Sequence, residues 1–186
     1  ARANNFWHLP TSTLKLMKKT GCHYLTFGFE SGSQRILDRI NKRIQVEDIL
    51  KCAQICHEYA IVPEACFIVG FPFETTADIL ATLMMVAKVR ELCPTAIFHL
   101  QLDTALPGSI LYNECITHFG LKPIESLAEW GDFVKWRNNR VWLKWGKKNF
   151  LKVLNGSMYA SSLEYLLTRS DIRLPRTGHF LMSSAY

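Results

Sequence analysis

Leu25-Thr26-Phe27-Gly28-Phe29-Glu30-Ser31-Gly32-Ser33-Gln34 and, further along, Phe67-Ile68-Val69-Gly70-Phe71-Pro72-Phe73-Glu74-Thr75 decide the fold of this chain. Each segment is an apolar run that ends in glycine, passes through a turn bearing a carboxylate and enters a helix start. A parallel β/α unit delivers a polar group to the carboxyl end of a strand in this way. Two such units in tandem predict part of a barrel rim.

Outward from these segments the remaining elements follow. Thr11 or Ser12 is expected to cap a short helix that runs to Lys19, with Gly21 as its stop, and aromatic and β-branched residues over 22–28 predict a strand. A helix over 33–41 carries Ile36, Leu37 and Ile40 on one side, and a second spans 46–60. A strand over 64–70 comes next. Thr75 or Thr76 then caps a long helix over 77–91, which Cys93-Pro94 ends, and 96–103 alternates as a third strand. Pro107-Gly108 turns the chain into a helix over 109–119. The fold class is therefore α/β, with about three β/α units of a partial parallel barrel. Ser126 and Glu129 have capping-box spacing at a boundary, which divides the chain into a barrel part, 1–125, and a basic, Trp-rich, mainly helical extension, 126–186.

The chain has 186 residues, 48% of them hydrophobic, enough to bury a core of one domain. A complete eight-unit barrel takes about 250 residues, so the sequence is expected to be the second half of one, cut from a longer protein. The net charge of +6 is unevenly placed: residues 1–134 hold 12 Lys/Arg against 14 Asp/Glu, whereas 135–186 hold 10 against 2. No uncharged apolar run is long enough to cross a membrane, and the first residues lack a secretory signal's apolar stretch. The six cysteines show no compact disulfide framework, which points to a reducing, cytoplasmic setting. Cys52 and Cys56 lie at helical spacing among apolar residues and are expected to be buried together in the core. The histidines show no paired ligand spacing, no residue is expected to ligate a metal, and none is assigned a direct catalytic role. Serine hydrolase and triphosphatase glycine motifs are absent.

Six segments in order resemble the radical S-adenosylmethionine (radical SAM) enzymes, in particular the group with a cobalamin-binding domain in front of the barrel. They are Lys18-Lys19-Thr20-Gly21-Cys22; Gly28-Phe29-Glu30-Ser31-Gly32-Ser33; Arg39-Ile40-Asn41-Lys42; Gly70-Phe71-Pro72-Phe73-Glu74-Thr75; Leu106-Pro107-Gly108-Ser109 with Leu111-Tyr112; and Pro123 to Trp130. The resemblance implies an enzyme that cleaves S-adenosylmethionine with a 4Fe-4S cluster to a 5′-deoxyadenosyl radical, with cobalamin-dependent methyl transfer or ring formation among the chemistries that follow. The family's Cys-x-x-x-Cys-x-x-Cys triplet does not occur here, so the cluster's ligands are expected in a missing amino-terminal half and this chain alone is expected to be inactive. A reductant protein and a small-molecule substrate, whose identity the sequence does not give, complete the implied partners.

The cofactor-binding residues that the resemblance implies are Gly28, Glu30, Ser31, Lys42, Ile68, Val69, Gly70 and Pro107. Glu30 corresponds to the residue that contacts the cofactor's ribose; a loop carboxylate or a helix N-terminal charge is the alternative from local sequence. Lys42 corresponds to the basic residue set against the cofactor's methionine carboxylate, with Arg39 and Arg43 as competitors. Ile68, Val69 and Gly70 correspond to the segment that holds adenine, with Glu74 expected mainly to cap the following helix. Pro107 lies in a turn that helps close the site. Two rival readings remain: a nucleic-acid or anionic-surface binding module built on the basic, aromatic segment 135–152, and an inactive relative used for protein contacts.

Overall fold

A computed structural model describes residues 1–136, with side chains described to Gly131. Three parallel strands form one sheet in the order β1 (Tyr24–Glu30), β2 (Val62–Val69), β3 (Ile97–Leu102). Seven helices accompany them among the described residues: α1 (Ala3–Phe6), α2 (Thr11–Lys19), α3 (Gln34–Arg39), α4 (Val46–Glu58), α5 (Thr76–Leu92), α6 (Ile110–Phe119) and α7 (Leu127–Trp136). Each strand leads into helix, as the β/α pattern requires. Of the basic extension expected over 126–186, the part beyond residue 136 lies outside the described residues, and with it nearly all of the segment 135–152 expected as a binding surface. No helix among the described residues is long and apolar enough to cross a membrane.

Side-chain alternation gives the sheet two unlike faces. Phe27, Phe29, Ala65, Phe67, Val69, Phe98, Leu100 and Leu102 are buried against the helices. Phe27 and Phe29 stack at 5.3 Å between ring centroids, with Phe6 of α1 edge-on to Phe27 at 5.1 Å and Phe67 tilted beside Phe29 at 5.8 Å. Ile49, Cys52, Ala53 and Cys56 of α4 and Val86 and Val89 of α5 close over this layer. Cys52 and Cys56 are thus core residues, as their spacing predicts; burial pushes the Cys52 thiol up to about 12 and Cys56 higher still. The other face carries Tyr24, Thr26, Glu64, Cys66, His99 and Gln101, half-buried or exposed. A smaller cluster of Ala105, Tyr112, Cys115 and Leu121 holds α6, with the Tyr112 hydroxyl accepting the Ile124 N–H at 2.8 Å.

Several expected boundaries move. Pro10, not Thr11 or Ser12, sits at the N-cap of α2, because its fixed φ of −57° is ready for the first turn and Thr11 is already helical. Strand β1 starts at Tyr24 and extends past Gly28 to Glu30. β2 starts at Val62, so Pro63 lies inside a strand. Thr75 caps α5 in a reciprocal capping box with Asp78, and Ser109 caps α6. Ser126 accepts the Glu129 N–H at 3.2 Å, while the Glu129 carboxylate accepts from Glu125 at 2.8 Å.

The exit of β1 is fastened to α5 by close packing. A Cβ on Gly32 would stand 2.4 Å from the Ala81 carbonyl oxygen and 2.7 Å from the Thr82 Cα, so only glycine permits this approach. The Thr82 hydroxyl accepts the Gly32 N–H at 3.0 Å, lies 3.1 Å from the Ser31 hydroxyl and donates to the Asp78 carbonyl. Thr82→Val keeps the shape but leaves the Gly32 N–H unpaired in the interior, and is expected to lower stability by about 1–3 kcal/mol. Gly32→Ala forces backbone against backbone and is expected to lose at least as much. Urea denaturation checks both: midpoints fall while the slope stays constant.

Candidate functional site

The half-open face of the sheet meets the carboxyl ends of β1 and β2 at a pair of opposite charges. The β1–β2 ladder is regular up to Gly28, which pairs with Cys66; Glu30 then pairs with Phe67, leaving Phe29 as an extra residue. This bulge draws Glu30 back from the rim by one residue, about 3.3 Å of strand. Glu30 has a left-handed φ of 66°, uncommon for a residue with a side chain. Its carboxylate folds over Gly28, where an added Cβ would lie 2.5 Å from Oε1 and 3.1 Å from Lys42 Nζ. Gly28 therefore supplies the room for the pair.

Lys42 arrives from the turn after α3. Its neighbours Asn41 and Arg43 both have left-handed φ, 54° and 57°, so the turn is tightly wound on either side of it. Its ammonium donates to Glu30 Oε1 at 2.5 Å, with each side chain about one-fifth exposed. The competing arginines are committed elsewhere. Arg39 makes two 2.8 Å bonds to Glu114 of α6 and lies over the Phe73 ring, while Arg43 bonds Asn41.

The remaining expected site residues divide into those on this face and those behind it. Ile68 lies half-buried on the open face, whereas Val69 points into the core. Ser31 is fully buried, its hydroxyl engaged with Thr82 and with the Ser33 N–H. Pro107 is exposed in the turn before α6. Gly70 turns the chain at the end of β2 with φ 87°. Glu74 does not cap α5, since Thr75 and Asp78 do so; instead its Oε2 accepts the N–H groups of Gly70 and Phe71, the latter at 3.2 Å. Its Oε1 is buried with no hydrogen bond among the described residues. Burial raises the Glu74 carboxyl to about 7, only partly offset by the Gly70 and Phe71 bonds.

A second polar group on the open face was not anticipated. Glu64 accepts the Thr26 hydroxyl on Oε2 and His99 Nε2 on Oε1 at 2.6 Å. Its signal in the sequence was period two: Glu64, Cys66 and Ile68 share one face of β2, and His99 stands across from Cys66. Among the described residues no three of His, Cys, Asp and Glu are placed to hold a metal ion.

Glu74 gives the site a pH dependence of known sign. Its folded-state pKa lies above the ordinary 4.5, so its stabilising contribution is full below that value and is lost as pH rises through about 7. The expected loss is on the order of 3 kcal/mol at most. Glu74→Gln keeps an oxygen for the Gly70 and Phe71 N–H groups, and should flatten the stability profile across this window in denaturation measured from pH 4.5 to 8.

The sequence profile described as "Radical SAM superfamily" matches residues 6–86, which run from α1 through β1 and β2 into α5. An uncharacterized methyltransferase of Pyrococcus horikoshii is 36% identical over 75 residues, covering 40% of this chain and 16% of the relative. A tRNA-2-methylthio-N(6)-dimethylallyladenosine synthase of Syntrophomonas wolfei is 38% identical over 71 residues, 37% of this chain and 16% of its own length. The anaerobic magnesium-protoporphyrin IX monomethyl ester cyclase of Rubrivivax gelatinosus is 35% identical over 72 residues, 39% of this chain and 13% of its own. The matched part of the chain spans about an eighth to a sixth of the length of these curated relatives. Residues 6–86, with the bulged strand, the Glu30–Lys42 pair and the Gly70 turn inside them, are thus similar in sequence to the radical SAM superfamily.

Proposed function

We propose that this chain is part of a radical SAM enzyme and that its rim binds S-adenosylmethionine, with Glu30 taking the ribose hydroxyls and Lys42 the methionine carboxylate. The observation that carries the reading is the Glu30–Lys42 pair: two opposite charges meet over Gly28, at the strand end, on backbone held left-handed at Glu30 and on both sides of Lys42. Strain of this kind persists where surrounding structure over-determines it, which is common at ligand sites. The cofactor carries a vicinal diol and a carboxylate, so binding exchanges one ion pair for two charge-assisted contacts. Ile68 and the main chain around Val69 and Gly70 lie next to this position and serve the adenine; Ser31 acts from behind by holding the turn, and Pro107 borders the rim.

Bound there and supplied with an electron, S-adenosylmethionine provides hydrogen-atom abstraction from an unactivated carbon. The described residues offer no set of thiolates for a 4Fe-4S cluster, since Cys52 and Cys56 are core residues on α4. The reading therefore assigns the cluster to residues outside them and draws no step through it. The same reading takes the three parallel strands as part of a (β/α) barrel completed by further units of a longer protein, with a reductant protein as electron donor and a cytoplasmic setting consistent with free thiols throughout the described chain. Cobalamin, methyl transfer and ring formation enter only through the resemblance and through the methyltransferase and cyclase among the relatives.

Titration calorimetry of S-adenosylmethionine against the full-length enzyme tests the assignment. Glu30→Gln keeps the size and removes the charge, and is expected to weaken binding about tenfold or more, as loss of a hydrogen bond to a charged group would. Lys42→Met is expected to weaken binding comparably. An unchanged dissociation constant in both variants removes the pair from the site and leaves it as a clasp between β1 and the α3–α4 turn.

A further inference from the structure

Parallel sheets ordinarily lie under apolar side chains on both faces, and their strands read as continuous Val, Ile and Leu runs. The face turned away from the helices departs from this. Next to the Glu30–Lys42 pair it carries Tyr24, Thr26, Glu64, Cys66, His99 and Gln101, contributed by all three strands. Glu64 organises the group. Hydrogen bonding from Thr26 holds its carboxyl below the ordinary range, against the opposing effect of burial, with the Tyr24 phenol and His99 adding to the lowering. An ionised carboxylate on Nε2 fixes the imidazole: in the neutral ring the proton sits on Nε2 and the lone pair on Nδ1. His99 Nδ1 has no hydrogen-bond partner among the described residues, and the side chain is 35% exposed. Ile97 and Ile68 flank it on the same face, each half-buried.

We propose that this face is a proton-accepting ligand site, in which His99 Nδ1, oriented by Glu64, receives a hydrogen bond and then the proton from an N–H or O–H group of an uncharged planar ring lying against Ile97. On transfer the imidazole becomes imidazolium beside the Glu64 carboxylate, and the ligand becomes its conjugate base. An orienting carboxylate behind a histidine that faces its substrate is the arrangement that general-base chemistry needs. The ligand class follows from the charges. Glu30 and Lys42 are paired with each other, and the Glu64 carboxylate stands directly beside His99, so an anionic ligand at this ring is disfavoured. The neighbouring thiol is not the reactive group: burial raises Cys66, and the Glu64 and Glu30 carboxylates raise it further, with the Ala1 ammonium and Lys42 opposing.

The inference does not depend on S-adenosylmethionine, and its test contains none. Nitrogen-15 NMR of the histidine-labelled chain above neutral pH is expected to show His99 as the Nε2–H tautomer, and Glu64→Gln is expected to abolish that preference. Benzimidazole, a neutral planar N–H donor, should perturb the His99 Nδ1 resonance. 1-Methylbenzimidazole, which lacks the donor, and benzoate, which is anionic, should bind about tenfold more weakly. His99→Gln keeps a donor for Glu64 and should lose benzimidazole binding without a fall in melting temperature. An Nδ1–H tautomer in the unmodified chain, equal binding of benzimidazole and its methylated form, or retention of binding in His99→Gln would each overturn the proposal.

Discussion

The Asp78 carboxylate is the interaction on which the rim depends. It lies at the first turn of α5 and collects the Ser33 hydroxyl at 2.6 Å, the Arg35 guanidinium, the Thr75 hydroxyl at 2.5 Å and the Thr75 N–H at 2.8 Å. Burial alone would raise this acid; the bonds from Arg35, Ser33 and Thr75 outweigh it and hold it well below the usual carboxylate range. One side chain thereby fixes the start of α3, the start of α5 and the distance between them. Those are the two turns that follow Glu30 and Gly70. A buried charge with so many partners is expensive to leave half-satisfied, so the two turns are ordered together or not at all.

From that anchor the two faces of the sheet take different parts. The helix face is an aromatic and aliphatic layer, with Phe27, Phe29 and Phe67 in ring contact, and it supplies the cohesion. The open face is polar and largely satisfied from within, through Glu30 with Lys42 and Glu64 with Thr26 and His99. Polar groups in such numbers on a sheet of three strands would be poorly placed in a core. In the proposed function this is the face that meets ligand.

The sequence made the strands, the long helices and the buried pair Cys52 and Cys56 legible, because each rests on local periodicity. It also singled out Glu30 and Lys42, through motifs that lie within the matched family segment. It did not reveal that these two side chains meet, since the contact depends on a bulge and on two left-handed residues beside Lys42, none of them glycine. Glu74 departs from its sequence pattern for a related reason. A glutamate just before a helix suggests a cap, but Thr75 is better placed for that, and the carboxylate turns back onto the loop it follows. The Glu64–His99 bond joins residues on neighbouring strands, and its diagonal pairing exists only once the register between β2 and β3 is set.

The bulge at Phe29 has a meaning for how this protein can change in length. In an uninterrupted ladder Phe29 would stand opposite Phe67 and Glu30 opposite Ile68; the extra residue places Glu30 level with Phe67 instead. Successive strand residues alternate faces, so losing or gaining one residue between Gly28 and Ser31 exchanges inside and outside for all that follows until the next turn. Ser31 and Gly32, packed without slack against Thr82, leave no room to absorb such a change. Insertions and deletions are ordinarily tolerated in loops at strand ends, but this junction behaves as a ruler. Its residue count is as much a part of the chemistry as the carboxylate it presents.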